Sequence, residues 1–145
     1  MLLSVACFSC SKKKESGQQD LCAEPVVNAA TTCVYDSNQI KALILGKWHF
    51  TQSVSSWTQQ KTNPCTDSLY RSYEFLAGGA VKYFENGNYI STGSYTFTQG
   101  YAYSLSASDS AGRFHLGGPI SICDNYLVID DSPVDGPRDI FIKAE

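Results

Sequence analysis

Turn signals at short intervals are the feature of this sequence that most constrains its fold. Asn86-Gly87 is the strongest of them, because both residues readily adopt the positive φ angles of a two-residue hairpin. Gly78-Gly79 and Gly100 mark further turns, and Gly117-Gly118-Pro119 indicates another break. Between these points, apolar and polar residues alternate with the period of two that is typical of half-buried strands. The sequence therefore predicts about eight short strands, spaced roughly 8–14 residues apart.

Strands joined by such short turns pair with their neighbours in the chain, which gives an antiparallel meander. A parallel sheet is excluded, because its crossovers need long helical connections that this sequence lacks. Gly93, inside one predicted strand, indicates a bulge or a close approach of another backbone. Closure into a barrel would remove the exposed edges, and a sandwich of Greek keys is the alternative. We therefore predict an all-β fold, an antiparallel up-and-down eight-stranded barrel.

One short helix is predicted before the first strand, over the tract DSNQIKALILG at residues 36–46. Asp36 or Ser37 can cap its N-terminus, and Gly46 lies where a C-terminal glycine cap belongs. A 3₁₀ segment is the other possibility for the same residues. After Gly46 the period becomes two, so that Trp48 and Phe50 face the same side of a strand.

The N-terminal tract MLLSVACFSC resembles the end of a bacterial lipoprotein signal peptide. In that interpretation residues 1–9 are a truncated signal peptide that begins upstream, and Cys10 carries the lipid. A plain signal peptide with an incidental cysteine is the alternative. Residues 10–35 form a tether whose lysines, at positions 12–14, either meet lipid phosphates or are simply solvated. The expected location is the cell envelope, with a lipid anchor in the outer membrane, on its periplasmic or its surface face.

Four cysteines remain after Cys10: Cys22, Cys33, Cys65 and Cys123. An even number in an exported chain indicates two disulfides. We favour the pairs Cys22–Cys33 and Cys65–Cys123, although spacing leaves the other connectivities open. No Cys-x-x-Cys pair occurs among these four cysteines, and the two histidines lie far from any of them in the sequence, so we expect no metal site.

Gly46-Lys47-Trp48, after the short helix and before the strands, resembles the opening of the lipocalin-like domain. The pattern from Cys65 to Phe97 is similar to small lipocalin-like bacterial lipoproteins, and the resemblance covers about residues 37–145. It implies a barrel domain at residues 36–145 with the short helix at its closed end. It also implies that Gly46 and Trp48 form a structural plug there, beside Leu43 and Ile44.

The barrel interior is expected to be rich in aromatic residues, since the chain has nine Tyr and seven Phe. These rings either line an amphipathic cavity for a small hydrophobic ligand or simply fill the barrel. An inward Arg71 would need an anion, from the protein or from the ligand, and an outward one would lie in solvent. The predicted ligand-lining residues are Phe50, Arg71, Tyr73, Phe75, Tyr83, Tyr95, Phe97, Tyr101, Tyr103 and Phe114. Trp48, Val54, Leu105, Leu116, Leu127 and Ile129 complete the inward-facing set.

Catalytic chemistry is not indicated. His49 and His115 are predicted to point outward, and no Gly-x-Ser-x-Gly nucleophile motif occurs. The run at residues 131–136 lacks the ligand spacing of a calcium loop, so no cofactor or metal is expected. A net charge of -3 without a basic stripe argues against nucleic acid as a partner.

Two functions remain. The first is a lipid-anchored lipocalin-like protein that binds a small hydrophobic ligand inside its barrel. The second is a non-enzymatic interaction or inhibitor module, with a filled barrel and a protein partner at its loops, such as the loop that carries Trp57.

Overall fold

The computed structural model describes residues 19–27 and 31–145. Cys10, the predicted signal peptide and most of the tether lie outside the described residues. The elements in chain order are β1 (Cys33–Val34), α1 (Ser37–Leu43), β2 (Gly46–Val54), β3 (Lys61–Thr62), α2 (Pro64–Asp67), β4 (Arg71–Phe75), β5 (Ala80–Glu85), β6 (Asn88–Gln99), β7 (Tyr103–Ser108), β8 (His115–Cys123), β9 (Tyr126–Asp130), a 3₁₀ turn (Ser132–Val134) and β10 (Arg138–Lys143).

Eight antiparallel strands close into a barrel, as the sequence predicts. Strands β4 to β9 each pair with the next strand along the chain, and β2 closes the ring by pairing with both β4 and β10. The sandwich alternative is therefore excluded. Two short strands are added to this ring, since β1 pairs with β8 and β3 pairs with β2.

Strand β8 changes its partner halfway along its length. Its first half, through Pro119, pairs with β7, while its second half, from Ile120, pairs with β9. The predicted break at Gly117-Gly118-Pro119 is wrong, because the strand continues through it. The tripeptide instead allows the change of partner: Gly118 has a φ of +133°, and a Cβ there would lie 3.2 Å from Cβ of Asp131.

Helix α1 packs against the barrel end at which β2 begins. Asp36 caps it by accepting hydrogen bonds from the amides of Asn38 and Gln39, both at 3.0 Å. Ile40 and Ile44 are fully buried in the barrel core. The indole Nε1 of Trp48 donates to the carbonyl of Ile44 at 2.7 Å, which joins the buried tryptophan to the end of the helix.

The helix does not end in the glycine cap that the sequence predicts. Its C-cap is Ile44, and Gly46 is already the first residue of β2, with a φ of +106°. The ammonium group of Lys143 replaces the cap by donating to the carbonyls of Leu43 and Leu45. Leu43 is exposed, so of the two predicted helix-side partners of Trp48 only Ile44 lies in the core.

The structure has two disulfides, as the number of cysteines predicts, but they join different pairs from those that we favoured. Cys22 bonds to Cys65, and Cys33 bonds to Cys123. Cys33 and Cys123 lie directly opposite each other in the β1–β8 ladder, with Cα atoms 4.0 Å apart. This pairing depends on a two-residue strand in the tether, which the sequence pattern did not indicate. Both bonds therefore attach the N-terminal segment to the outside of the barrel.

The inward face agrees largely with the predicted set. Trp48, Phe50, Tyr73, Phe75, Tyr83, Tyr103, Leu105, Phe114, Leu116, Leu127 and Ile129 are buried, and Tyr95 and Phe97 are partly buried against them. Val54 is only half-buried. Tyr101 is fully exposed, so its assignment to the interior is wrong. It lies in the turn between β6 and β7, because β7 begins only at Tyr103.

Candidate functional site

One group of rings fills the part of the barrel farther from α1. Tyr73 stacks on Tyr83 with ring centroids 5.0 Å apart, and Phe114 contacts both, at 5.7 Å and 5.3 Å. Phe141 contacts Tyr73 and Phe50, each at 5.7 Å. Centroid separations of this size are those of aromatic pairs in direct contact.

A second group of rings extends along β6. Phe75 contacts Tyr95 at 5.1 Å, Tyr95 contacts Phe97 at 5.7 Å, and Phe97 stacks on Tyr103 at 5.1 Å. The hydroxyl of Tyr95 donates to the carbonyl of Leu76 at 2.8 Å. The predicted ligand-lining residues are thus brought together, Tyr101 excepted, but their rings face one another.

Arg71 points toward the barrel axis at the end opposite α1. Its guanidinium carbon lies 5.4 Å from the ring centroid of Phe50, and its Nη2 lies 4.0 Å from Oδ2 of Asp67. Glu85 stands directly across from Arg71 in the β4–β5 ladder. The sequence left two orientations of the Arg71 side chain open, inward and outward. The structure shows the inward one, where protein carboxylates supply the anion.

We call Arg71, Tyr83, Glu85 and Asp139 the mouth cluster. The hydroxyl of Tyr83 donates to Oε1 of Glu85 at 2.6 Å. Burial raises the pKa of Tyr83 well above its usual range, and this hydrogen bond raises the pKa further. Burial also raises the pKa of Tyr73. Both hydroxyls therefore remain protonated donors at neutral pH.

Asp139 is a half-buried acid of the mouth cluster. Burial raises the pKa of Asp139, which a hydrogen bond from Ser53 and the positive charge of Arg71 oppose, while Asp131 adds to the increase. Clusters of titratable groups with shifted pKa values occur at functional sites, but structural ion pairs produce them as well. Here the cluster closes a packed interior.

The outer wall of the barrel carries a groove of about 1030 Å³, which we call the outer groove. Ser121 and Val128 line it and lie outside the core cluster, and of its lining residues Tyr103 and Ile120 belong to that cluster. The groove therefore lies mainly against the outer side of the barrel wall. Sequence reasoning missed it, although the fully exposed Tyr101 is one of its residues.

Three parts of the chain enclose the outer groove. The N-terminal segment contributes Tyr35 and the Cys33–Cys123 disulfide, and the β6–β7 hairpin contributes Tyr101 and its neighbours. The third side is the loop after β9, with Val134 at the rim. Tyr35 and Val134 are 68% and 71% exposed, so the groove opens to solvent.

The polar groups of the outer groove carry both signs of charge. Nε of Arg138 lies 3.8 Å from Oδ2 of Asp130. Oδ1 of Asp130 accepts hydrogen bonds from the amide and hydroxyl of Ser132. Within residues 19–27 and 31–145, the buried Nε of Arg138 has no hydrogen-bond partner.

Both histidines lie outside the core, as predicted. Nδ1 of His49 lies 2.7 Å from the hydroxyl of Ser72, and these residues face each other across β2 and β4. Burial lowers the pKa of His49, and Lys47 lowers it further, so the ring is neutral at pH 7. No carboxylate among the described residues contacts His49, so the pair lacks the orienting acid of a catalytic triad.

Trp57 is 76% exposed in the loop between β2 and β3, as the interaction hypothesis requires. A smaller cavity of about 260 Å³ lies between that loop and residues 135–137. In the part of the chain that the structure describes, no three potential metal ligands lie together. No helix among the same residues has the length and hydropathy needed to cross a membrane.

Comparison with protein-family models, with curated proteins and with solved structures finds no match for this chain. The lipocalin-like resemblance therefore depends on the residues themselves: the closed eight-stranded barrel, α1 at one end, and Trp48 packed against that helix.

Replacement of Asp139 tests the electrostatics of the mouth cluster. Because the folded-state pKa of Asp139 is raised, its stabilising effect is fully present below the unfolded-state pKa and is lost as pH rises through the folded-state value. Asp139→Asn removes this titration. We therefore expect the free energy of unfolding of Asp139→Asn, relative to wild type, to increase between about pH 3 and pH 7, by about 1.4 kcal/mol per unit of pKa difference.

Urea denaturation of both proteins across this pH range measures the change. The exposed Asp124→Asn, which lies outside the mouth cluster, is the control for the loss of one carboxylate. A flat or decreasing difference for Asp139→Asn would contradict the assignment.

Proposed function

We propose that this protein is a non-enzymatic binding protein, in which the barrel is a packed scaffold and the outer groove holds a small ligand. The observation that carries the proposal is the contrast between the two faces of the barrel wall. Inside, the rings contact one another, while outside, a groove of about 1030 Å³ lies open. This volume is at the upper end of the roughly 300–1,000 Å³ that is usual for ligand sites.

A hydrophobic ligand inside the barrel is the other arrangement that the sequence allows. It would have to separate ring pairs such as Tyr73–Tyr83, at 5.0 Å, and Phe97–Tyr103, at 5.1 Å. Tightly packed interiors resist such insertions, since added volume forces side chains off their rotamers. The geometry therefore favours the groove over the interior.

The N-terminal segment, which forms one wall of the outer groove, is attached to the barrel at several points. Two disulfides hold the N-terminal segment on the barrel, and Glu24 accepts a hydrogen bond from Gln52 at 3.1 Å and pairs with Lys61. A site whose walls are fixed before binding loses less conformational entropy when the ligand arrives.

A substitution that fills the groove tests the proposal. Ser104 lines the groove from the outward face of β7, so Ser104→Trp should block it without touching the core. We expect small molecules that raise the melting temperature of the wild-type protein to lose that effect in Ser104→Trp. Thermal-shift screening, with native mass spectrometry of the protein purified from its host, supplies the measurement.

The control is Ser106→Trp, which places the same ring two residues farther along the same strand, at an exposed position that does not line the groove. It should keep the ligand response of the wild-type protein. Ligands that stabilise Ser104→Trp as strongly as wild type would show that they bind elsewhere, and the groove proposal would be wrong.

We further propose that the protein is a lipocalin-like lipoprotein, attached to the cell envelope through Cys10. The support is the sequence of residues 1–10, which ends in a small residue and a cysteine. Three acyl chains on one cysteine anchor a protein far more firmly than a single chain.

Labelling of cells with radioactive palmitate tests the anchor. Incorporation into the wild-type protein should be lost in Cys10→Ala and should persist in Cys7→Ala, the matched control. Labelling of Cys10→Ala equal to that of the wild-type protein would contradict the proposed lipid anchor.

A further inference from the structure

We infer that the ligand of the outer groove is a neutral oligosaccharide. This inference rests on the proposed function, because it names the chemical class of ligand for the same site. Three features of the groove support it: its exposed aromatic rings, its mixture of hydrogen-bonding groups, and its opening to solvent.

The aromatic rings of the rim are the first feature. Tyr101 is fully exposed at the tip of the β6–β7 hairpin, and Tyr35 is 68% exposed on the N-terminal segment. Covering the apolar faces of large exposed rings removes them from water, which is favourable. Flat rings with a polar tip suit ligands that have one apolar face and a hydrated edge. A pyranose ring has this character, since its C–H groups form a face and its hydroxyls form the edge.

The polar groups are the second feature. Thr98, Gln99, Asp131 and Arg138 line the groove, and the buried Nε of Arg138 has no hydrogen-bond partner among the described residues. The set contains both donors and acceptors. A sugar hydroxyl is one donor and two acceptor positions, so it can satisfy either kind. A purely apolar ligand would desolvate these groups without replacing their hydrogen bonds, which is unfavourable.

The charges decide against an ionic ligand. Arg138 lies beside Asp130, and Asp131 lines the same side of the groove. An anion would be attracted by the arginine and repelled by two carboxylates, while a cation would be attracted by the carboxylates and repelled by the arginine. A neutral ligand with many hydroxyls interacts favourably with all three groups.

The opening and the size are the third feature. An apolar molecule in an open groove would keep much of its surface in water, which reduces the hydrophobic contribution to binding. A saccharide instead keeps its outer hydroxyls hydrated at no loss. The volume of about 1030 Å³ accommodates several sugar units rather than a single one.

Titration of the oxidised full chain carrying Cys10→Ala tests the inference. The probes are chitohexaose, cellohexaose and maltohexaose, with dodecanoate as the apolar probe, and binding is measured by calorimetry and by amide chemical shifts. We expect at least one hexasaccharide to bind and to shift the amides of residues 98–104 and 130–138. Tyr101→Ala should weaken that binding about tenfold, the loss that follows from removing a principal aromatic contact.

Trp57→Ala is the matched control, because Trp57 is a comparably exposed ring that does not line the groove. It should leave the hexasaccharide affinity within about twofold. Because both rings are exposed, neither substitution should affect folding, which circular dichroism verifies.

The outcomes distinguish the two proposals. Groove shifts with dodecanoate but with no hexasaccharide would overturn the saccharide inference and leave the groove as a binding site. Hexasaccharide binding that is insensitive to Tyr101→Ala would also overturn it, because the sugar would then bind elsewhere. If no probe shifts groove amides, and Ser104→Trp also leaves ligand stabilisation unchanged, the proposed function itself fails.

Discussion

The closure of eight strands around their own aromatic side chains is the constraint on which this structure depends. A barrel with so few strands encloses a narrow interior that side chains can fill completely. Here the inward positions carry Trp48, the stacked pair Tyr73 and Tyr83, and rings that continue along β6 to Tyr103. Burying large rings in contact contributes most of the hydrophobic stabilisation available to a domain of this size.

Because side chains occupy the interior, our proposal places the ligand in the outer groove. The change of partner in β8 leaves an edge at Ile122 and Cys123, where β1 adds to the sheet. The disulfide to Cys33 then fixes the N-terminal segment beside the β6–β7 hairpin. The groove is thus a consequence of how the barrel closes, and the described part of the N-terminal segment forms one of its walls.

Local signals in the sequence were sufficient for the barrel itself. The turn at Asn86-Gly87 joins β5 to β6, and Gly93 lies where a Cβ atom would be only 2.1 Å from the carbonyl oxygen of Ser108. The alternation of apolar and polar residues predicted most of the buried side chains correctly, because one face of each strand is buried. Tyr101 was misplaced because alternation cannot show where a hairpin tip begins.

The outer groove could not be predicted, because it depends on contacts between distant parts of the chain. Cys33 and Cys123 are separated by 90 residues, and the sequence near Cys33 has no strand periodicity. Lys143 likewise caps α1 although it lies 100 residues farther along the chain than Leu43. The local sequence therefore indicated Gly46 as the cap instead. Such pairings follow from the closed topology and are visible only once the barrel is formed.

The packing of the interior is tested most directly by adding volume to it. Ala107 is buried between the inward residues Tyr95 and Leu116 of the neighbouring strands. The free energies of unfolding of Ala107→Leu and of Ser106→Leu, on the outer face, show whether the barrel interior has space for a larger side chain. A filled barrel predicts that Ala107→Leu loses about 1–3 kcal/mol of stability, through overpacking. An unchanged or increased stability would show an open interior and would contradict the account.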